Sequence, residues 1–187
     1  MINEKSLFII SGPAGVGKDS VVQALRDAHP EIDRSVTGTT RAPRPGEVHG
    51  INYYYMSVPE FEKLKEEGGV LESNFFCGNY YGTLRSDVEK RLASGKVIVL
   101  IIDVHGAANI KKMCPDCTTI FICPPSEEEL EKRLRGRGTE TEEKILERLA
   151  ESKAELLWAE KYDERVVNDT IESCVEQIYN VIQARRA

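Results

Sequence analysis

The sequence predicts an α/β fold: a mainly parallel sheet flanked by helices, with an inserted mixed α/β lobe. Three observations carry this. Short apolar runs alternate with amphipathic stretches along most of the chain, the pattern of strands joined by helical crossovers. Between about residues 35 and 93 the alternation gives way to short aromatic segments set among Gly, Asn and Pro. A glycine-rich loop at residues 12–18 separates the first strand from the first helix. The 187 residues suit one compact domain. We divide it into a core (1–34 and 94–187) and a lobe (35–93).

The elements follow in order. Ser6 to Ser11 reads as a buried strand, and Asp19 to Ala28 as a helix with Val21, Val22 and Leu25 on its apolar side. His29-Pro30 ends that helix. In the lobe, the aromatic segments at Tyr53–Tyr55, Phe75–Phe76 and Tyr80–Tyr81 predict a small, more antiparallel sheet. Ser57 and Glu60 form a capping box that starts a helix through about Glu67. A second lobe helix spans Leu84 to Ala93. Val97 to Asp103 is the strongest strand, since a continuous apolar run implies burial on both faces. Thr118 to Ile122 is another strand, stopped by Pro124-Pro125. Ser126 and Glu129 cap the next helix, to about Arg135. A long helix at Glu142–Ala159, a strand at Arg165–Val167 and a helix at Ile171–Ala187 complete the chain.

Composition narrows the function. Hydrophobic residues make up 41%, charged residues 30%, and the net charge is −6. That balance argues against a general nucleic-acid binder, yet permits a phosphorylated small molecule held by locally converging cations. No apolar run approaches the ~18 residues of a membrane helix. The N-terminus does not read as a signal peptide, so a cytoplasmic location is expected. The five cysteines form no framework. Cys114 and Cys117 make a lone C-x-x-C without a second pair, so ordinary reduced thiols are expected.

Gly12-Pro13-Ala14-Gly15-Val16-Gly17-Lys18 follows a strand and precedes a helix. In that context the glycines turn backbone N–H groups toward phosphate oxygens, and the helix start adds positive potential. Lys18 would reach the terminal phosphates. The full motif places Ser or Thr after the lysine to hold Mg²⁺. Here Asp19 stands there and Ser20 follows. Either Ser20 supplies the hydroxyl or Asp19 faces the metal's water shell.

Further on, Arg41 and Arg44 lie in a loop stiffened by Pro43 and Pro45. Two fixed guanidinium forks suit a phosphate dianion, and Tyr53 and Tyr81 would add neutral donors.

The segments SGPAGVGK, SVTGTTRAPRPGEVHG, GNYYGT, RLRGRGTETEE and VVND span almost the whole chain. On these residues the chain resembles the guanylate kinase family of phosphate-loop nucleoside monophosphate kinases. The resemblance implies a P-loop NTPase-type core, ATP with Mg²⁺ as donor, and GMP, with dGMP, as acceptor. By match of position, Arg41, Arg44, Tyr53 and Tyr81 grip the GMP phosphate, Thr37, Glu72 and Thr83 read guanine, and Asp103 also faces GMP. Guanine offers donors at N1 and N2, which a Glu72 carboxylate can accept. Its O6 can accept from threonine hydroxyls. The resemblance also implies a short helical lid (135–148), from which Arg137 and Arg148 reach the transferring phosphate. Arg133 lies near the donor phosphates and Asn168 near the adenine, whereas Arg135 has no assigned role. Monomer and homodimer both fit.

The strand end departs from the family pattern D-I-D-x-Q-G: it reads Ile101-Ile102-Asp103-Val104-His105-Gly106. An acid near the phosphates is lost, and Asp19 is a candidate to compensate. His105 is expected to be a packed or hydrogen-bonded histidine. The Asp19-Ser20 pair resembles ribose 1,5-bisphosphate phosphokinases, which gives a rival acceptor. A non-catalytic phosphopeptide-binding module is the rival of another class. Lys18, Arg137 and Arg148 weigh against the second, and Glu72, Thr83 and the arginine run against the first.

Overall fold

A computed structural model describes residues 4–136 and 141–186. In chain order the elements are β1 (Leu7–Ser11), α1 (Lys18–Ala28), β2 (Ile32–Arg34), β3 (Thr37–Thr39), β4 (Tyr54–Tyr55), α2 (Val58–Glu66), β5 (Val70–Phe76), β6 (Asn79–Leu84), α3 (Arg85–Ala93), β7 (Val97–Ile101), α4 (Val104–Met113), β8 (Thr118–Cys123), α5 (Glu127–Gly136), α6 (Glu142–Leu156), β9 (Glu164–Val167) and α7 (Ile171–Arg186). The architecture is α/β, as the alternation predicts.

The larger sheet has five strands in the order β2-β7-β1-β8-β9, and every pairing is parallel. Leu7 to Ile10 on β1 and Val97 to Leu100 on β7 are fully buried. These central strands are apolar without alternation because helices cover both faces. One face packs Phe8, Ile10, Val97 and Val99 against Val21, Val22 and Leu25 of α1 and Ile178 and Ile182 of α7. The other packs Leu7, Ile9, Ile98 and Leu100 against Ala107 and Ile110 of α4 and Val88 of α3.

The second sheet runs β4-β3-β6-β5. It is mixed: β6 is antiparallel to β3 and β5, while β4 is parallel to β3. The capping box of α2 forms in full, with the Ser57 N–H donating to Glu60 at 2.7 Å and the Glu60 N–H donating to Ser57 Oγ at 3.4 Å. Buried Asp87 ties this sheet to the core. It accepts from the Val36 N–H at 2.8 Å, the Tyr54 hydroxyl at 3.0 Å and Arg91 Nε at 2.8 Å. Arg91 also pairs with Asp33 on β2, which pairs with Arg26 on α1 at 3.0 Å.

Several expectations are revised. The strand at Val97 stops at Ile101. Asp103 instead caps α4, accepting from the His105 and Gly106 N–H groups at 2.8 and 2.9 Å. Both α4 and β2 lack counterparts in the sequence reading. The long helix ends at Leu156, not Ala159, and a short 3₁₀ turn at Ala159–Lys161 follows. The first strand begins at Leu7 because Glu4–Ser6 is a 3₁₀ turn. Among the described residues, no helix is long and apolar enough to cross a membrane.

Candidate active site

The donor side begins where β1 ends. Gly12, Gly15 and Gly17 all have positive φ, at 153°, 87° and 96°, a region that side chains with a Cβ avoid. Space agrees. A Cβ on Gly12 would come within 2.4 Å of the Ile122 carbonyl, and one on Gly17 within 2.9 Å of Asn168 Nδ2. The loop therefore lies pressed against β8 and the segment after β9. Gly17 stands at the N-cap of α1 with no side-chain cap, so the first-turn N–H groups face the loop mouth. Lys18 folds back over the loop and donates to the Gly12 carbonyl, and to that of Pro13 at 3.1 Å.

Two residues support this loop from outside it. Asn168 is buried, and its Nδ2 donates to the Val16 carbonyl at 2.7 Å. Arg133 donates to the Asn168 and Asp169 carbonyls at 3.1 and 3.3 Å and to Glu129 at 3.2 Å. Glu155 on α6 also reaches the loop. It lies near the Ala14 N–H and Lys18, while burial pushes its carboxyl pKa upward. No sequence pattern distinguished Glu155 from the other glutamates of α6.

The acceptor side is built on one face of the mixed sheet. The register places Thr37 opposite Thr83 and Thr83 opposite Glu72. One row further, Thr39, Tyr81 and Asn74 align in the same way. Residues two apart share a face, so these six side chains form one polar patch. Thr37, Tyr53, Glu72, Tyr81, Asp103 and Asp19 line a cavity of about 390 Å³. Arg34, Asn74 and Ile101 line it too; the sequence analysis assigned no acceptor role to any of the three.

At the cavity wall, Glu72 accepts from the hydroxyl of Thr83, which is buried and does not itself line the cavity, and Asn74 donates to Asp103 at 3.0 Å. Burial, reinforced by Asp103, raises the Glu72 pKa against the opposing pull of the Thr83 hydrogen bonds. Gly106 at the start of α4 permits this packing, since a Cβ there would lie 2.8 Å from Glu72 Oε2.

The arginine loop is organised by Glu47, an acid outside the set of residues expected from sequence. Glu47 accepts from Arg41 at 2.8 and 3.0 Å, from the Arg44 N–H at 2.7 Å and from the Tyr55 hydroxyl at 2.8 Å. Those donors, Arg41 foremost, hold its pKa down to about 2. Arg41 also lies 5.3 Å from the Tyr53 ring centroid, and Tyr53 meets Tyr81 edge-on at 6.1 Å. Arg44 itself is exposed. The signal for Glu47 was present: an acid three residues beyond Arg44 in a proline-braced loop.

On the lid side, Arg148 is half-buried on α6, and Arg137 lies outside the described residues. Arg135, without a role from sequence, pairs with Glu131 at 2.7 Å and with Glu142, so it bridges α5 and α6. Ser20 is exposed on α1. Among the described residues no three His, Cys, Asp or Glu side chains gather as a metal cage. Mg²⁺ that arrives on phosphates needs only one or two protein oxygens, so the Asp19-Ser20 donor set fits such an ion. His105 packs edge-on against Trp158 at 5.0 Å. Cys114 and Cys117 are buried, and burial pushes the Cys117 thiol up to about 12, away from the reactive thiolate.

A parallel sheet whose first strand enters a lysine-bearing glycine loop, facing a polar cavity on a second sheet, defines a phosphate-loop nucleotide-binding protein. The family model for guanylate kinases matches residues 4–185, and the chain belongs to the guanylate kinase family. A guanylate kinase of Trichormus variabilis is 48% identical over 92% of this chain and 86% of its own. One from Streptomyces coelicolor is 44% identical over 92% and 87%. The crystal structure of a guanylate kinase from Anaplasma phagocytophilum superposes with a TM-score of 0.75 at 32% identity, covering 96% and 85%. A shikimate kinase from Bacteroides thetaiotaomicron, at 12% identity and a TM-score of 0.51, shares the fold alone.

Proposed function

We infer that the protein transfers the γ-phosphoryl group of ATP to GMP, and to dGMP, within cytoplasmic purine nucleotide metabolism. The observation that supports this best is the row Thr37–Thr83–Glu72, set in register across three strands, with Thr37 and Glu72 lining a cavity beside Tyr53 and Tyr81. Glu72 accepts from guanine N1 and N2, Thr37 faces O6, and the Thr83 hydroxyl holds the Glu72 carboxylate in place. Adenine presents the opposite edge and would leave these buried groups unpaired, which discriminates strongly.

Arg41, Arg44, Tyr53 and Tyr81 hold the acceptor phosphate, and Asp103 steadies the cavity wall through Asn74. The backbone of Gly12 to Gly17 cradles the donor phosphates, with Lys18 on the terminal ones. Asp19 and Ser20 are the side chains that would face Mg²⁺, which neutralises charge on the donor phosphates when bound. Arg133 and Asn168 shape the donor loop from behind. Arg44, Arg137 and Arg148 stabilise the charge spread over the transferring group. The acceptor phosphate oxygen is already a competent nucleophile, so no general base is required. Closure of residues 135–148 over the donor would exclude water, and the enzyme works as a monomer or homodimer.

A coupled assay of ADP release tests the reading, with ATP and Mg²⁺ against GMP, dGMP, AMP, UMP and ribose 1,5-bisphosphate. GMP is expected to be preferred by several orders of magnitude over AMP. Preference for the ribose compound would overturn the acceptor assignment. GMP binding without turnover of any acceptor would overturn the enzyme.

A further inference from the structure

Asp19 follows the loop lysine on the first turn of α1, and Arg34 ends β2. They meet across the site: Arg34 Nη1 lies 2.9 Å from Asp19 Oδ1. Both line the acceptor cavity, although Asp19 belongs to the donor helix. Arg34 also lines a neighbouring cavity of about 540 Å³ with Arg26, Tyr53 and Arg91. One guanidinium therefore touches the donor helix and the acceptor space together.

The other carboxylates of the acceptor cavity are committed. Glu72 is bonded to Thr83, and Asp103 to Asn74 and the start of α4. Ile101 supplies no charge where the family pattern carries an acid. Asp19 differs because its partner is exchangeable. The Asp19 side chain is 77% exposed and that of Arg34 32% exposed, and so exposed a pair contributes little. A phosphate dianion binds a guanidinium through two charge-assisted hydrogen bonds and would displace the single Asp19 contact.

We propose that Arg34 is a positioning residue that couples the two substrate sites by exchanging Asp19 for the acceptor phosphate. The inference rests on the donor and acceptor assignments above. When GMP takes Arg34, Asp19 is left as an uncompensated carboxylate beside the donor loop. That charge attracts a donor carrying a divalent cation and repels a donor without one. GMP therefore strengthens binding of Mg²⁺-loaded ATP and weakens binding of metal-free ATP. Linkage requires the reverse effects on GMP to match. A surface pair that merely neutralises Asp19 would show neither sign.

Calorimetric titration of β,γ-imido-ATP, with and without Mg²⁺ and with and without saturating GMP, tests this. In the wild type GMP is expected to tighten the Mg²⁺ complex about fivefold or more and to loosen the metal-free analogue. Both effects should vanish in Arg34→Ala and in Asp19→Asn, and Arg34→Lys should retain part of them. Thermal melts identify any variant that fails to fold, in which case the remaining variants decide. Coupling of one sign in both metal conditions, or unchanged coupling in Arg34→Ala, overturns the proposal. Absence of any GMP binding by the wild type would remove the acceptor assignment itself.

Discussion

The Glu72 carboxylate accepts both the Thr83 hydroxyl, at 2.6 Å, and the Thr83 backbone N–H, at 3.1 Å. The carboxylate is thus fixed on the neighbouring strand before any base arrives, which lowers the entropy lost on binding. Burial beside Asp103 leaves it strained as a charge, and its pKa is raised. A raised carboxyl pKa means the folded state holds the proton more tightly than the unfolded chain. Its stability contribution is full below the ordinary carboxylate range and is lost as pH rises through the raised value.

The consequence for Glu72→Gln is a split outcome. At neutral pH the variant should melt higher than the wild type, because a buried charge is gone. GMP affinity should fall about 100-fold, since two charge-assisted hydrogen bonds are weakened or reversed. Wild-type GMP affinity should also decline, as pH is lowered from neutrality, earlier than an ordinary carboxylate would dictate, and the variant should lack that decline. Melting curves and GMP titrations across pH check both. A lower melting point together with unaltered GMP affinity would show Glu72 to be structural.

Glu47 behaves oppositely. Its depressed pKa of about 2 keeps it ionised throughout mild acid, so its support of the arginine loop is lost only as pH falls toward that value. Glu47→Gln should weaken GMP binding roughly tenfold, because Arg41 and the Arg44 backbone lose their shared acceptor. The kcat at saturating GMP should change by less than the KM. Steady-state kinetics separate the two; a kcat loss with constant KM would place Glu47 in the transfer step instead.

How much of this was legible beforehand follows from what kind of signal each feature leaves. The phosphate loop and the buried strands were readable because glycine spacing and continuous apolar runs are local patterns. The helix after Asp103 was not, since residues 104–113 carry a glycine, no strong stripe, and a cap whose acid looked like a site residue. Glu72 and Thr83 were found through resemblance alone; their partnership needs the register of β5 and β6. Arg34, Asn74 and Glu155 leave no trace in sequence, because each matters only through a neighbour brought in from another element.

The loop glycines and Asn168 make a stability prediction. Gly12→Ala places a Cβ against the Ile122 carbonyl, a backbone atom that cannot step aside. The cost should be about 3 kcal/mol or more. Asn168→Ala removes the donor to the buried Val16 carbonyl and should cost about 2 kcal/mol. In a chain of this size 2 kcal/mol corresponds to a melting point lower by roughly 4–8 °C. Melts of both variants test the ranking, and a neutral Gly12→Ala would mean that the loop is not packed on β8.

Glu155 supplies the last prediction. Its carboxylate lies near the Ala14 N–H and Lys18, and a donor phosphate uses the same two kinds of group. The two anions compete for those groups. Glu155→Gln removes the competing charge and should tighten β,γ-imido-ATP roughly three- to tenfold. Glutamine keeps an oxygen for the Ala14 N–H, so the packing of α6 is preserved. Turnover should fall or stay level, because α6 also carries Arg148 and a helix displaced by the donor brings that arginine with it. Weaker donor binding in Glu155→Gln would reverse the assignment: Glu155 would then orient Lys18 for the phosphates.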